Sequence, residues 1–169
     1  MWAIRERLYL GDYASGVAAL AGVRRPLPTG EPAPFAGVVS LCPMPLFPED
    51  TIPGPEAEET EWLELPIADG GNGEAEFEAA LRVAERFARR RRAVGNVLIH
   101  CAAGMSRSVS VVAALLCAEG LAPEQAFLEV AHSKAKASRA RTHDPLSLIE
   151  PAAEFRRVLE RLYGRKSPR

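Results

Sequence analysis

The chain has 169 residues, 47% of them apolar and 25% charged, and a net charge of −1. Such a chain is long enough to bury a core as one domain without disulfide or metal staples. It has no apolar run of about 18 residues to cross a membrane. The charges in "MWAIRERLYL" interrupt any signal-peptide core, so a cytoplasmic protein is expected, and three cysteines without framework spacing fit a reducing compartment. The small net charge hides an asymmetry. Residues 1–80 hold four basic and fourteen acidic residues, and residues 81–169 hold seventeen and eight. Either the basic half faces an anionic ligand, or the two halves attract each other across the fold.

In chain order, "RLYLGD" (7–12) reads as a short strand entering a turn, and "ASGVAALAG" (14–22) as a short helix. "RRPLPTGEPAPF" (24–35) is a Pro/Gly-rich loop, and "GVVSLC" (37–42) is a β-branched run expected to form a buried strand. Residues 43–60 carry five prolines and many acids and read as a surface loop. "EWLELPI" (61–67) alternates like a strand, and "ADGGNG" (68–73) reads as a flexible loop. Residues 74–92 form an amphipathic helix on Phe77, Leu81, Ala84 and Phe87, acidic at its start and basic at its end as the helix dipole favours. "NVLIHC" (96–101) is a second buried strand and 107–119 a buried helix. A helix over 122–132 has Pro123 at its first position. A last amphipathic helix spans 147–163 and a frayed tail follows at 164–169. Strands alternating with helices predict an α/β fold: a central, mostly parallel sheet of four to five strands flanked by about six helices, in one domain over 1–163.

One junction carries chemistry. The strand ending at Cys101 passes through Ala102, Ala103, Gly104, Met105 and Ser106 to a helix starting at Arg107. The C-x5-R spacing alone is weak, with roughly 0.3 chance occurrences in a chain of this composition. Its setting is more informative. Small residues and a glycine allow the loop to curl with its N–H groups inward, and N–H groups at a helix N-terminus bind a tetrahedral oxyanion. Arg107 adds a planar fork for two phosphate oxygens. The same field favours the thiolate of Cys101, so nucleophile and phosphate share one loop and a phosphocysteine intermediate follows. Ser108 is placed to donate to that thiolate, and His100 either to orient the strand end or to stabilise the thiolate by hydrogen bonding. The competing reading, a core cysteine in a plain connection, leaves Gly104, Ser106, Arg107 and Ser108 unexplained.

A phosphate-ester leaving group needs a proton. Four aspartates are available: Asp12, Asp50, Asp69 and Asp144. Asp12 reads as a turn cap, Asp50 lies in the proline-rich loop, and Asp144 precedes Pro145 at a turn or helix start. Asp69, on the glycine loop after a strand, is favoured, with Asp144 still open.

"HCAAGMSRS" resembles the HC-x5-R-S/T signature of the cysteine-dependent protein tyrosine phosphatase superfamily, and "AAG-x-SRS" resembles its small atypical dual-specificity members. "LYLGDYASG" and "GVVSLC" resemble the opening strand and turn and a later strand of those domains. The 32-residue separation of Asp69 from Cys101 resembles their acid-to-nucleophile gap. The resemblance implies a three-layer phosphatase fold without metal or cofactor. It makes Cys101 the nucleophile, Arg107 the phosphate clamp, Ser108 the thiolate partner, Asp69 the general acid and residues 102–106 the source of backbone donors. Two departures bear on substrate. Residues 131–150 lack the family's RP-x-I-x-PN stretch, and no tyrosine-bearing recognition loop is found. A shallow pocket taking phospho-Tyr and phospho-Ser/Thr of a phosphorylated protein is therefore expected, and a loop without lysine disfavours a phosphoinositide. Cys42 ends "GVVSLC" as Cys101 ends "NVLIHC", and in phosphoinositide phosphatases of the superfamily a cysteine so placed forms a reversible disulfide with the nucleophile. The resemblance thus implies Cys42 as a redox partner of Cys101, against the alternative of a plain buried cysteine. The runs "ARRRRA" (88–93) and "SRARTH" (138–143) lack neighbouring aromatics and read as solvated charge rather than a nucleic-acid surface. A monomer without membrane contact is expected. The alternatives are an RNA 5′-triphosphatase or other non-protein phosphatase on this scaffold, and a phosphate-binding module without turnover.

Overall fold

The computed structural model describes residues 1–20, 35–44, 60–137 and 144–164. Asp50, the run 138–143, the tail from 165 and nearly all of both proline-rich loops lie outside these residues. Five strands form one sheet: β1 (Trp2–Arg5), β2 (Leu8–Gly11), β3 (Phe35–Ser40), β4 (Glu61–Glu64) and β5 (Asn96–His100). Their spatial order is β1-β2-β5-β3-β4. β1 is antiparallel to β2, and the other pairs are parallel. β1 was not expected from sequence, because Arg5, Glu6 and Arg7 interrupt the apolar run. It is an edge strand, where charged side chains reach water.

The two-residue period of the strands sorts their side chains into two cores. Leu8, Leu10, Val39, Val97 and Ile99 enter the larger core, and Tyr9, Val38 and Leu98 the smaller one. Helix α1 (Tyr13–Leu20) supplies Ala19 and Leu20 to the smaller core. The larger core takes α2 (Glu74–Arg92), α3 (Arg107–Ala118), α4 (Pro123–Ala137) and α5 (Ala153–Tyr163). The result is three layers, with the sheet between α1 and the four later helices. Every residue of α3 from Arg107 to Cys117 is buried, as its nearly unbroken apolar sequence requires. No helix among the described residues is long and apolar enough to cross a membrane.

Two helices depart from their sequence reading. The segment 147–163 is not one helix: a 3-10 turn covers Pro145–Leu148, and α5 starts only at Ala153. Pro151 disfavours helix at the residue before it and has no N–H to continue one. In the other direction, α4 runs five residues past His132, because Lys134 continues its buried face after Ala126, Phe127, Val130 and Ala131.

Candidate active site

The parallel register brings Gly11 and Ser40 level with His100 at the carboxyl ends of β2, β3 and β5. Open α/β sheets bind ligands at that edge. Cys101 follows immediately. It is 1% exposed, its N–H donates to Gly11 O at 3.4 Å, and its Sγ lies 3.2 Å from the Oγ of fully buried Ser108.

The loop after Cys101 is turned outward by its carbonyls. Ala102 O accepts from Tyr13 N–H at 3.0 Å, Gly104 O from Lys134 Nζ at 2.6 Å, and Met105 O from Glu150 N–H at 2.8 Å. Each peptide is trans, so its N–H points opposite to its C=O. The N–H groups of Ala103, Met105 and Ser106 are thereby aimed away from these outer partners, into the hollow of the loop. Gly104 makes the turn with φ +69, and a Cβ there would lie 2.7 Å from Trp2 Cζ3 and 3.1 Å from Gly11 O. No other residue fits both the backbone and the space.

Arg107 is 7% exposed and fixed from two strand ends. Nη1 donates to Leu41 O at 3.2 Å and to Ile67 O at 3.1 Å, while Nη2 reaches Asp69 Oδ2 at 3.3 Å. Its Nε and the Ser106 Oγ are buried without a protein partner. Buried donors of this kind are costly unless a ligand takes them up. Beside them opens a cleft of about 510 Å³ lined by Asp69, Ala103, Met105, Ser106, Glu150, Pro151 and Ala152.

The four aspartates separate cleanly. Asp12 caps α1 by accepting from Ser15 N–H at 2.9 Å and Ser15 Oγ at 2.6 Å. Asp144 caps the 3-10 turn through Leu146 N–H at 2.9 Å. Asp50 is outside the described residues. Asp69 alone of the described three meets Arg107. Its loop is better fixed than its glycines suggested. Asn72 bonds both the N–H and the C=O of Ala68, at 3.1 and 2.8 Å, and Gly71 N–H donates to Glu154 at 2.7 Å.

His100 is fully buried behind Cys101. Its Nε2 lies 2.6 Å from Ser40 Oγ, which also accepts from Trp62 Nε1 at 2.9 Å. Ser40 Oγ thus bridges the Trp62 indole and the His100 imidazole. Burial pushes the His100 pKa down to about 4, opposed by a weaker backbone interaction at Cys101 and the charge of Asp12. The site therefore gathers Cys101, Arg107, Ser108, Asp69, His100 and residues 102–106. Cys42, Cys101 and Cys117 are all free, buried thiols. Cys42 packs in the smaller core and Cys101 in the larger. Burial raises the Cys42 pKa, and raises that of Cys117 to about 11. Sequence reading missed Lys134, Glu150 and Gly16. The signal for Lys134 was present: a lysine four residues after Val130 on an apolar helical face.

The fold is one shared with cysteine-dependent tyrosine phosphatases and small dual-specificity phosphatases of known structure. A family model described as the Rit1 DUSP-like domain matches residues 61–144, which include Asp69, Cys101 and Arg107. The structure of DUSP15 superposes with a TM-score of 0.65 at 20% identity, over 95% of this chain and 85% of that one. Human DUSP28 gives 0.63 at 23%, over 96% and 91%. Tk-PTP in its active form gives 0.60 at 26%, over 97% and 96%. No curated protein matches the sequence.

Proposed function

We propose that the chain is a cysteine-dependent phosphatase that hydrolyses phosphotyrosine and phosphoserine/threonine esters of proteins. Its single domain over 1–163 works as a cytoplasmic monomer. The observation that carries this reading is the inverted loop: three carbonyls pinned outward around a buried thiol, with the Arg107 fork and the Asp69 carboxylate converging on the same hollow.

The Cys101 thiolate attacks phosphorus, and an S–P bond forms as the ester P–O bond breaks. Asp69, in its acid form, gives its proton to the departing oxygen. The inward N–H groups and Arg107 hold the three peripheral oxygens throughout. Water then attacks phosphorus and loses a proton to Asp69, and the S–P bond breaks to return the thiolate, which the Ser108 hydroxyl receives. The cleft wall is acidic through Glu150 and Asp69, which supports a monophosphate ester over a polyanionic substrate.

Turnover of p-nitrophenyl phosphate and of phosphopeptides across pH 5–7 tests this directly. Cys101→Ser abolishes turnover while still retaining phosphopeptide. Asp69→Asn slows poor leaving groups by about 100-fold or more and p-nitrophenyl phosphate far less. A wild-type protein that binds phosphopeptide without turnover overturns the enzyme reading, and turnover of RNA 5′-triphosphate alone redirects it to that substrate. Cys42 as redox partner belongs to the same proposal: mild peroxide yields a Cys42–Cys101 disulfide by peptide mapping, whereas an unpaired sulfinic Cys101 rules it out.

A further inference from the structure

Lys134 is a buried cation directly beneath the phosphate loop. It is 3% exposed on α4, and its ammonium donates to Gly104 O and to Leu148 O, each at 2.6 Å. The ring of Trp2, on β1, lies 4.4 Å away by its centroid. The described partners are thus two neutral carbonyls and a π face, a poor exchange for the hydration an ammonium gives up. Burial accordingly pushes its pKa down to about 8, and the charges that oppose this are those of Cys101 and Asp12. Asp12 is already engaged at the start of α1 by Ser15. Among the described residues the remaining counter-charge is the Cys101 thiolate, joined during catalysis by the phosphoryl group.

We propose that Lys134 is a positioning residue for the phosphate loop, gripping the Gly104 carbonyl so that the Met105 N–H faces the phosphate and setting a fixed positive charge behind Cys101. The grip on Leu148 O ties the same ammonium to the 3-10 turn whose continuation, Glu150, holds the next loop carbonyl. One lysine therefore sets two neighbouring peptides. The inference rests on the reading of Cys101 as a thiolate nucleophile. Its test does not need turnover, so an inactive wild type and a failed coupling are separate results.

Coupling between two charges is reciprocal. If the ammonium stabilises the thiolate, the thiolate stabilises the ammonium. The chain has only three lysines, Lys134, Lys136 and Lys166, so protein labelled on lysine gives a three-signal NMR titration. In wild type the expected Lys134 midpoint is about 8, pushed down by burial. In Cys101→Ser its midpoint moves to lower pH, while Lys136 and Lys166 do not move. An identical Lys134 midpoint in the two proteins overturns the proposal, and this comparison needs no Lys134 variant to fold. A second measurement follows carbamidomethylation of Cys101 by neutral iodoacetamide at pH 6, read on the Cys101 peptide. Lys134→Met slows it about tenfold, and Lys134→Arg restores it to within about threefold of wild type. A Lys134→Met protein alkylated at the wild-type rate also overturns the role.

Discussion

At Gly16 there is no room for a side chain. A Cβ there would lie 2.2 Å from Cε1 and 2.3 Å from Nε2 of His100, so the backbone of α1 rests on the face of the imidazole that Ser40 holds through Nε2. Gly16→Ala forces the ring off Ser40 and costs about 1–3 kcal/mol, as overpacking of a filled core does. Because His100 immediately precedes Cys101, the same substitution lowers kcat. Urea unfolding and p-nitrophenyl phosphate turnover check both, and an unchanged urea midpoint would refute the contact. Ser108 presents the complementary case, a small polar residue required by chemistry rather than by space. Ser108→Ala removes the hydroxyl 3.2 Å from the Cys101 sulfur. The expected result is a slower second half-reaction, seen as a burst of p-nitrophenol followed by a reduced steady state.

The elements that were legible in the sequence are those whose burial is one-sided and periodic. Helix α2 showed its stripe of Phe77, Leu81, Ala84 and Phe87, and all four are buried. β5, the loop and α3 were legible because an apolar strand and an apolar helix bracket small and polar residues. What stayed hidden depended on partners distant in sequence. Trp2 is a lone aromatic until Gly104 and Lys134 are brought to it, and Glu150 acts through its backbone, which no side-chain pattern records. The break at Pro151 belongs here too: it frees the Glu150 N–H for Met105 O at 2.8 Å instead of burying it in a helix. Past the break, α5 docks on α2 through Phe155 stacked on Phe77, with ring centroids 4.1 Å apart and both rings fully buried. Phe155→Ala leaves a cavity and costs about 3–5 kcal/mol. Because the stack belongs to the helical core and not to the loop, turnover by the protein that remains folded at low temperature stays near wild type. A loss of kcat without a loss of stability would place α5 in the site instead.

At the scale of the whole molecule, the described residues pair part of the basic half with part of the acidic half. Arg90 and Arg91 meet Glu61, Arg157 meets Glu74 at 2.7 Å and Arg161 meets Glu78 at 2.8 Å, each pairing the basic half with the acidic half. Such exposed pairs are each worth about 0–1 kcal/mol, so they align helices more than they stabilise the fold. A larger electrostatic effect on stability comes from the imidazole buried at the end of β5. Burial holds the His100 pKa down at about 4 in the folded protein, against 6.5 for an ordinary histidine. Between those values the unfolded chain binds the proton and the folded chain does not, so stability rises with pH through this window and is lost as pH falls from 6.5 toward 4. The total is about 3 kcal/mol, taken from the size of the displacement. Carboxylates titrate in part of the same range, so the measurement is a difference. Urea unfolding of wild type and of His100→Gln, followed from pH 8 to 4, keeps the carboxylate contribution common to both. The gap in unfolding free energy between the two proteins is constant above about pH 7 and shrinks by about 3 kcal/mol by pH 4 as wild type alone loses stability. A gap that does not change with pH would mean that the ring accepts its proton in the folded protein as readily as in the unfolded chain.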